Sequence, residues 1–316
     1  MKFRTEMAIE KFGSQISHEH SLVFIGSCFA DEVGSCFLKH GFQTLVNPFG
    51  VIFNPISIAS ILSQALDADY EFATTLIEYK QRYYSLAHHG SFASDNRGEL
   101  VAALQRGNKQ LHIALKKCNY LFITLGTANV YEWKETRSVV ANCHKIPASF
   151  FEKKRLTPSA IVDAFTPVLK QLLELNPAMQ IVFTVSPVRY LNFGMHENQL
   201  SKATLLLAVE AMVEAHSNCN YFPAYELVID DLREYRFMKD DLIHPNAQAV
   251  NYIWEKFGTA VFSETTTKLN QRVAAFYTMK NHKLVGTDAE AQQQFLKKVA
   301  AEKDALKQLL PMACLD

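Results

Sequence analysis

Short apolar runs recur along the chain, and each stops at a residue that interrupts regular structure. Leu22-Val23-Phe24-Ile25 ends at Gly26, Tyr120 to Leu125 ends at Gly126, and Gln180 to Val185 ends at Ser186-Pro187. Continuous apolar runs of this length are the pattern of strands buried on both faces of a parallel sheet. A briefer strand over Thr44 to Val46 leads into the turn Asn47-Pro48-Phe49-Gly50. Helical periodicity fills the gaps. Ala30 to His40 carries Val33, Phe37 and Leu38 and is closed by Gly41. Thr157 caps a segment with Pro158 in its first position and a stripe of Ile161, Phe165, Val168 and Leu172, with a kink expected at Pro167 and a stop before Pro177. Further helices are expected from about Asn198 to Ser217 and from Pro245 onward, the latter with Val250, Ile253 and Phe257 inward. Val130 to Trp133 and Ser138 to Ala141 read as a hairpin insertion.

Strands alternating with helices of this length predict βαβ units, a mainly parallel sheet and helices on both of its faces. After about Ser263 the composition shifts to Thr, Lys, Gln, Ala and Glu. Asp288 to Leu310 there reads as an amphipathic helix with Phe295, Val299, Leu306 and Leu310 on one stripe, able to pack back or to meet a second copy.

Charge narrows the function classes. Thirty-two basic residues balance thirty-two acidic ones, with no basic stripe, so nothing favours nucleic acid or an anionic membrane. Met1 to His20 lacks the apolar core of a secretory signal, and no run approaches the roughly 20 residues of a membrane span. The six cysteines, Cys28, Cys36, Cys118, Cys143, Cys219 and Cys314, form no CxxC pair, and reduced thiols in a cytoplasmic protein are expected. His18-Glu19-His20 and His88-His89 lack HExxH spacing, and no metal is expected. Dinucleotide, Walker A and Gly-x-Ser-x-Gly motifs are absent.

Ligands of an open parallel sheet sit at the carboxyl ends of its strands. The residues there are Gly26-Ser27-Cys28, Asn47 to Gly50, Gly126 to Asn129 and Ser186 to Arg189. Far downstream, Asp241-Leu242-Ile243-His244-Pro245 supplies an Asp-x-x-His whose carboxylate can fold back onto the imidazole, with Asp240 a second choice. A serine after the first strand and a late Asp-His pair provide a nucleophile, a base and an orienter. Plainer roles compete with these. Taken alone, Ser27 reads also as a helix N-cap, and Cys28 beside it as a thiol activated at a helix N-terminus. His144 reads as a substrate ligand or a structural histidine. Arg189 reads as an anion clamp or as a partner of Glu226, Asp230 or Asp231. Tyr221 to Tyr225 reads as packing more than as a sugar platform.

Gly26-Ser27-Cys28-Phe29-Ala30 spells GSCFA. NPFGVIFNP (Asn47 to Pro55), TLGTANVYE (Thr124 to Glu132), ANCHK (Ala141 to Lys145), TVSPVR (Thr184 to Arg189) and the stretch from Tyr221 to Asn246 follow in order. Through these segments, which span most of residues 20 to 260, the chain resembles the GSCFA family, itself similar to SGNH/GDSL hydrolases. The resemblance implies a three-layer α/β/α sandwich with a flavodoxin-like strand order over residues 1–262, followed by a helical extension over 263–316. It places Ser27 as the nucleophile, with Asp241 and His244 as its partners. It also implies an oxyanion hole built from the Ser27 and Gly50 N–H groups and from Asn129. The sequence departs from the SGNH Gly-x-Asn pattern, since Gly126-Thr127-Ala128-Asn129 is one residue longer, and Thr127 is the alternative donor. The implied activity is that of a bacterial-type serine esterase or deacylase without cofactor, acting on a small or carbohydrate acyl ester and assembling, where it does, through the C-terminal helix. An acyltransferase on the same site and a non-catalytic carbohydrate-binding protein are the competing readings.

Overall fold

The run after His20 forms strand β1 (Ser21–Gly26), whose residues beyond Ser21 are buried. Helix α1 (Cys28–Lys39) returns along the sheet to β2 (Gln43–Val46). Helix α2 (Pro55–Ala65) starts on Asn54, whose side chain accepts the Ser57 N–H, with Pro55 in the first turn. The short antiparallel strands β3 (Ile77–Tyr79), β4 (Arg82–Tyr84) and β5 (Ala93–Ser94) precede helix α3 (Arg97–Lys117) and strand β6 (Tyr120–Leu125). The strands β7 (Asn129–Trp133), β8 (Ser138–Val140) and β9 (Phe151–Arg155) make a second antiparallel sheet. Helix α4 (Pro158–Leu175), strand β10 (Gln180–Val185), helix α5 (Met195–Ala215) and strand β11 (Cys219–Tyr221) complete the alternation. The short α6 (Ala224–Glu226) runs into a π-turn over Leu227–Leu232, and helices α7 (Ala247–Val261), α8 (Glu264–Lys280) and α9 (Ala289–Leu309) follow. This computed structural model describes residues 4–282, 288–311 and 315.

The central sheet has five strands in the order β11-β10-β6-β1-β2, all parallel, as in flavodoxin. Alternation inside the fully buried strands sorts two cores. Val23, Ile25, Leu121, Ile123, Ile181 and Phe183 face α2 to α5, where Ile61, Leu111, Phe165 and Val209 meet them. Leu22, Phe24, Phe122 and Val182 face α1 and α7, against Phe37, Ile253 and Phe257. The three-layer α/β/α architecture implied by the sequence is present.

Several boundaries differ from expectation. Helix α5 begins at Met195 rather than Asn198, and α7 at Ala247 rather than Pro245. Asn246 is the true cap of α7, accepting the Ala249 N–H at 3.1 Å, while Pro245 bridges back to Met238. Helix α4 continues through Pro167 as one element. The C-terminal stripe packs back within the chain: Leu306 and Leu310 of the α9 end are buried with Val273 and Phe276 of α8. Arg272 and Glu302 join the two helices through hydrogen bonds of 2.6 and 3.1 Å. Cys314 lies outside the described residues.

Phe183 is wholly buried, and its ring meets Phe165 edge-on at 5.7 Å between centroids. Truncating it would remove buried area and leave a cavity between the sheet and α4. Phe183→Ala should lower unfolding free energy in urea by roughly 3–5 kcal/mol; a loss under about 1 kcal/mol would mean that this layer is not packed as described.

Candidate active site

The turn from β1 to α1 is built around Gly26. Its φ of +145° suits glycine, and a Cβ there would stand 2.2 Å from the Thr124 carbonyl oxygen of β6. The Gly26 N–H donates to Asn47 Oδ1 at 2.8 Å, and Asn47 Nδ2 donates to Asp31 Oδ1 in the first turn of α1 at 2.5 Å. Asn47, itself at φ +38°, thus pins both sides of Ser27. Ser27 caps α1: its Oγ accepts the Phe29 N–H at 3.2 Å, and the residue is 3% exposed. The hydroxyl acts there as an acceptor, so its proton remains available to a base. The neighbouring Cys28 thiol is pushed up, first by burial and then by Asp31, and stays a neutral thiol. The activated-thiol reading loses its physical basis.

Asp241 and His244 do meet. Asp241 Oδ2 lies 2.7 Å from His244 Nδ1, while Oδ1 accepts the N–H groups of Ile243 and His244, each at 2.9 Å. Those two backbone donors, followed by the imidazole, hold the Asp241 carboxyl down at about 2. Asp240 is not the partner. Leu242, at φ +60°, makes the tight turn, and the Lys239 N–H to His244 O bond of 2.7 Å closes the loop. Two side chains brace it. Arg189 Nη1 donates to Leu242 O at 3.0 Å, and Lys239 Nζ reaches Glu32 Oε1 of α1 at 2.7 Å. The loop is therefore fastened to the strand end after β10 and to the helix that Ser27 begins. Arg189 forms none of the pairs expected with Glu226, Asp230 or Asp231; it holds the loop instead.

The expected oxyanion donors are largely committed. Ser27 N–H donates to Thr124 O at 3.2 Å, and Gly50 N–H to Asn47 O at 2.8 Å. The Thr127 hydroxyl pairs with Ser201 Oγ at 2.9 Å and accepts the Asn129 N–H at 3.0 Å. Asn129 differs: its Oδ1 is buried without a partner, and its Nδ2 makes only a 3.5 Å contact with Glu197 O. His144 Nε2 is bound to Ser85 O at 2.8 Å, and burial lowers its pKa. It braces the two insertions rather than offering that nitrogen to a ligand. On sequence alone Asn47 was placed in a strand-end turn without a role, and Lys202, whose Nζ donates to the Gly126 and Ser186 carbonyls, was passed over.

A model of the GSCFA family matches residues 21–257, three-quarters of the chain, and includes every residue of this constellation. The chain belongs to the GSCFA family. A comparison with curated proteins gave no match. Among solved structures, the chain is similar to a carbohydrate esterase family 3 protein from Talaromyces cellulolyticus, at 11% identity and a TM-score of 0.26. That similarity covers 50% of this chain and 60% of the other.

In this GSCFA chain a groove of about 340 Å³ opens beside Asn129, walled by Phe53, Asn54, Tyr131, Tyr190 and Asn192. Among the described residues, no charged side chain lines it. A larger cavity of about 700 Å³ lies against α7 and α8 beside Lys39 and His40, at the end of α1 remote from Ser27. It is not where the strand ends gather. Among the described residues, no three His, Cys, Asp or Glu side chains cluster to hold a metal. No described helix is long and apolar enough to cross a membrane.

The Asp241 carboxyl sits below its ordinary value, so the ion-assisted turn is intact at neutral pH and is lost only as pH falls toward about 2. A carbon-13 titration of the Asp241 carboxyl should show a midpoint near 2. A midpoint near the model-peptide value of about 3.9 would mean that the two backbone N–H bonds do not form in solution.

Proposed function

We propose that this protein is a serine esterase that hydrolyses a small acyl ester, with an O-acylated carbohydrate as the substrate class. The observation that carries the reading is the Asp241–His244 pair. Asp241 engages Nδ1 at 2.7 Å, which fixes the tautomer and leaves Nε2 as the base. The Lys239–Glu32 and Arg189–Leu242 contacts, which fasten this loop to the helix that Ser27 begins and to the segment after β10, support the reading. The groove beside Asn129 supports a neutral substrate: amides offer paired donors and acceptors, and Tyr131, Tyr190 and Phe53 offer ring faces.

In this mechanism His244 Nε2 takes the Ser27 proton as Oγ attacks the ester carbonyl. The tetrahedral intermediate collapses, and the alcohol departs with the proton returned by the imidazolium. Water, deprotonated by the same nitrogen, then attacks the acyl-enzyme and releases the carboxylic acid and Ser27. The Asn129 amide is the proposed side-chain oxyanion donor, because its Nδ2, which carries two protons, makes only a 3.5 Å contact with Glu197 O. The Ser27 and Gly50 N–H groups would join it only by releasing their present carbonyl partners.

With a panel of p-nitrophenyl acyl esters, Ser27→Ala should reduce kcat by a factor on the order of 10⁴ or more, with the far-UV circular dichroism unchanged. Asp241→Asn should reduce it by less than Ser27→Ala, since the base itself remains. Full turnover in Ser27→Ala would sink the assignment, and loss in Cys28→Ala instead would move the nucleophile to the thiol.

Asn129→Ala should lower kcat by roughly 10²–10³ with little change in KM, the signature of a donor that acts in the transition state. If Asn129→Ala is silent and Thr127→Val is defective, the hydroxyl is the donor after all. Normal kcat in both variants would leave the role to backbone groups alone.

A further inference from the structure

Lys202 lies on the inward face of α5 and is 1% exposed. Its Nζ donates to the Gly126 carbonyl at 2.5 Å and to the Ser186 carbonyl at 2.6 Å. These carbonyls are the first beyond β6 and β10, so one ammonium bridges the ends of these neighbouring strands, of which β6 borders β1. Among the described residues no carboxylate approaches Lys202 within ion-pair distance. The groups that face it are the Tyr225 ring of α6, with its centroid 5.8 Å away, and the Cys28 thiol at the start of α1. A buried cation held only by carbonyl dipoles is a costly arrangement for stability alone.

The cost makes sense beside a site that develops negative charge. Ser27 N–H bonds to Thr124 O, two residues before Gly126 on the same chain. At the rise of an extended strand, this puts the ammonium on the order of 10 Å from the serine. We propose that Lys202 is an electrostatic positioning residue: its buried ammonium clamps the Gly126 and Ser186 carbonyls and stabilises the anionic tetrahedral intermediate formed on Ser27. The inference rests on the esterase reading. At an effective dielectric constant near 20, a unit charge at that distance changes the rate roughly tenfold.

Burial pushes the Lys202 pKa down to about 7. The protonated form is the active one, so turnover falls as pH rises through the Lys202 pKa. Stability runs the other way. The unfolded chain holds this proton up to the ordinary lysine range and the folded chain does not, so stability should rise with pH from about 7 towards about 10.

The test uses the full chain labelled with carbon-13 at lysine Cε, with phenylboronic acid as the probe, which forms an anionic tetrahedral adduct on an active serine. One lysine resonance should titrate near 7 in the free protein. Its midpoint should rise by roughly one pH unit in the adduct, since coupling between two sites is reciprocal. An unmoved midpoint with the adduct formed, or no lysine titrating below the surface set, overturns the proposal while leaving the esterase reading intact. Phenylboronic acid binding no better to wild type than to Ser27→Ala would sink both. Lys202→Met should abolish that resonance, lower kcat on p-nitrophenyl acetate roughly tenfold at pH 6.5 with KM little changed, and remove the alkaline limb. A folded Lys202→Met protein with wild-type kcat and an unchanged limb also overturns it. The NMR titration of the wild type decides the matter if Lys202→Met does not fold.

Discussion

The closeness of β1 to β6 at Gly26 is the constraint from which the site follows. With the Thr124 carbonyl occupying the space of a side chain, β1 must end in a residue without one. The next residue is then delivered to the mouth of the sheet with its N–H on that same carbonyl. Asn47 completes the turn by binding the Gly26 N–H and the Asp31 carboxylate together. A serine at this point is held by three strands' worth of backbone and needs no loop of its own. The Asp241–His244 pair is the reverse case. Asp241 and His244 are both more than a third exposed and owe their geometry to a nine-residue loop cross-braced at Arg189, Lys239 and Asn246.

How much was legible follows from where each residue's work is done. Strands β1, β6 and β10 were readable because they are mostly apolar and end at Gly26, Gly126 and Ser186-Pro187. The Asp241–His244 contact was readable because both partners lie within one turn of chain. Helices α2 and α3 were missed, and α8 was covered only as part of the helical extension over 263–316. In α3 the buried Leu100, Leu104, Leu111 and Leu115 are interleaved with a long polar face that hides the stripe. Strands β3 to β5 are two or three residues long, too short for any period. The role of Asn47 depends on a contact across 21 residues, which local pattern does not carry.

Lys202 was illegible for a different reason. A lysine in a helix is ordinarily a solvated residue, and only its place on the stripe of Asn198, Ser201, Leu205 and Val209 marks it as inward. The same stripe supplies Ser201, whose Oγ accepts the Ala128 N–H at 2.7 Å and pairs with Thr127. Adjacent residues of α5 therefore organise the loop after β6 in two ways. Ser201 satisfies the Ala128 amide and the Thr127 hydroxyl, and Lys202 satisfies the Gly126 carbonyl. The loop Gly126-Thr127-Ala128-Asn129 is held by this arrangement: Thr127 and Ala128 are tied to Ser201, and the chain resumes as β7 at Asn129.

That division bears on how negative charge would be stabilised here. Short-range donors and a longer-range charge act differently: a donor must sit about 3 Å from the oxygen, whereas a buried charge works over several times that distance because little water screens it. Where most of the backbone N–H groups near Ser27 are already bound to carbonyls, the donor set is thin. A site with a thin donor set gains more from a fixed positive charge than one with three free N–H groups. Burying that charge without a carboxylate beside it keeps its field uncancelled, which an ion pair would not. The stability given up by holding an unpaired ammonium in the core is then the counterpart of a field directed at the strand ends.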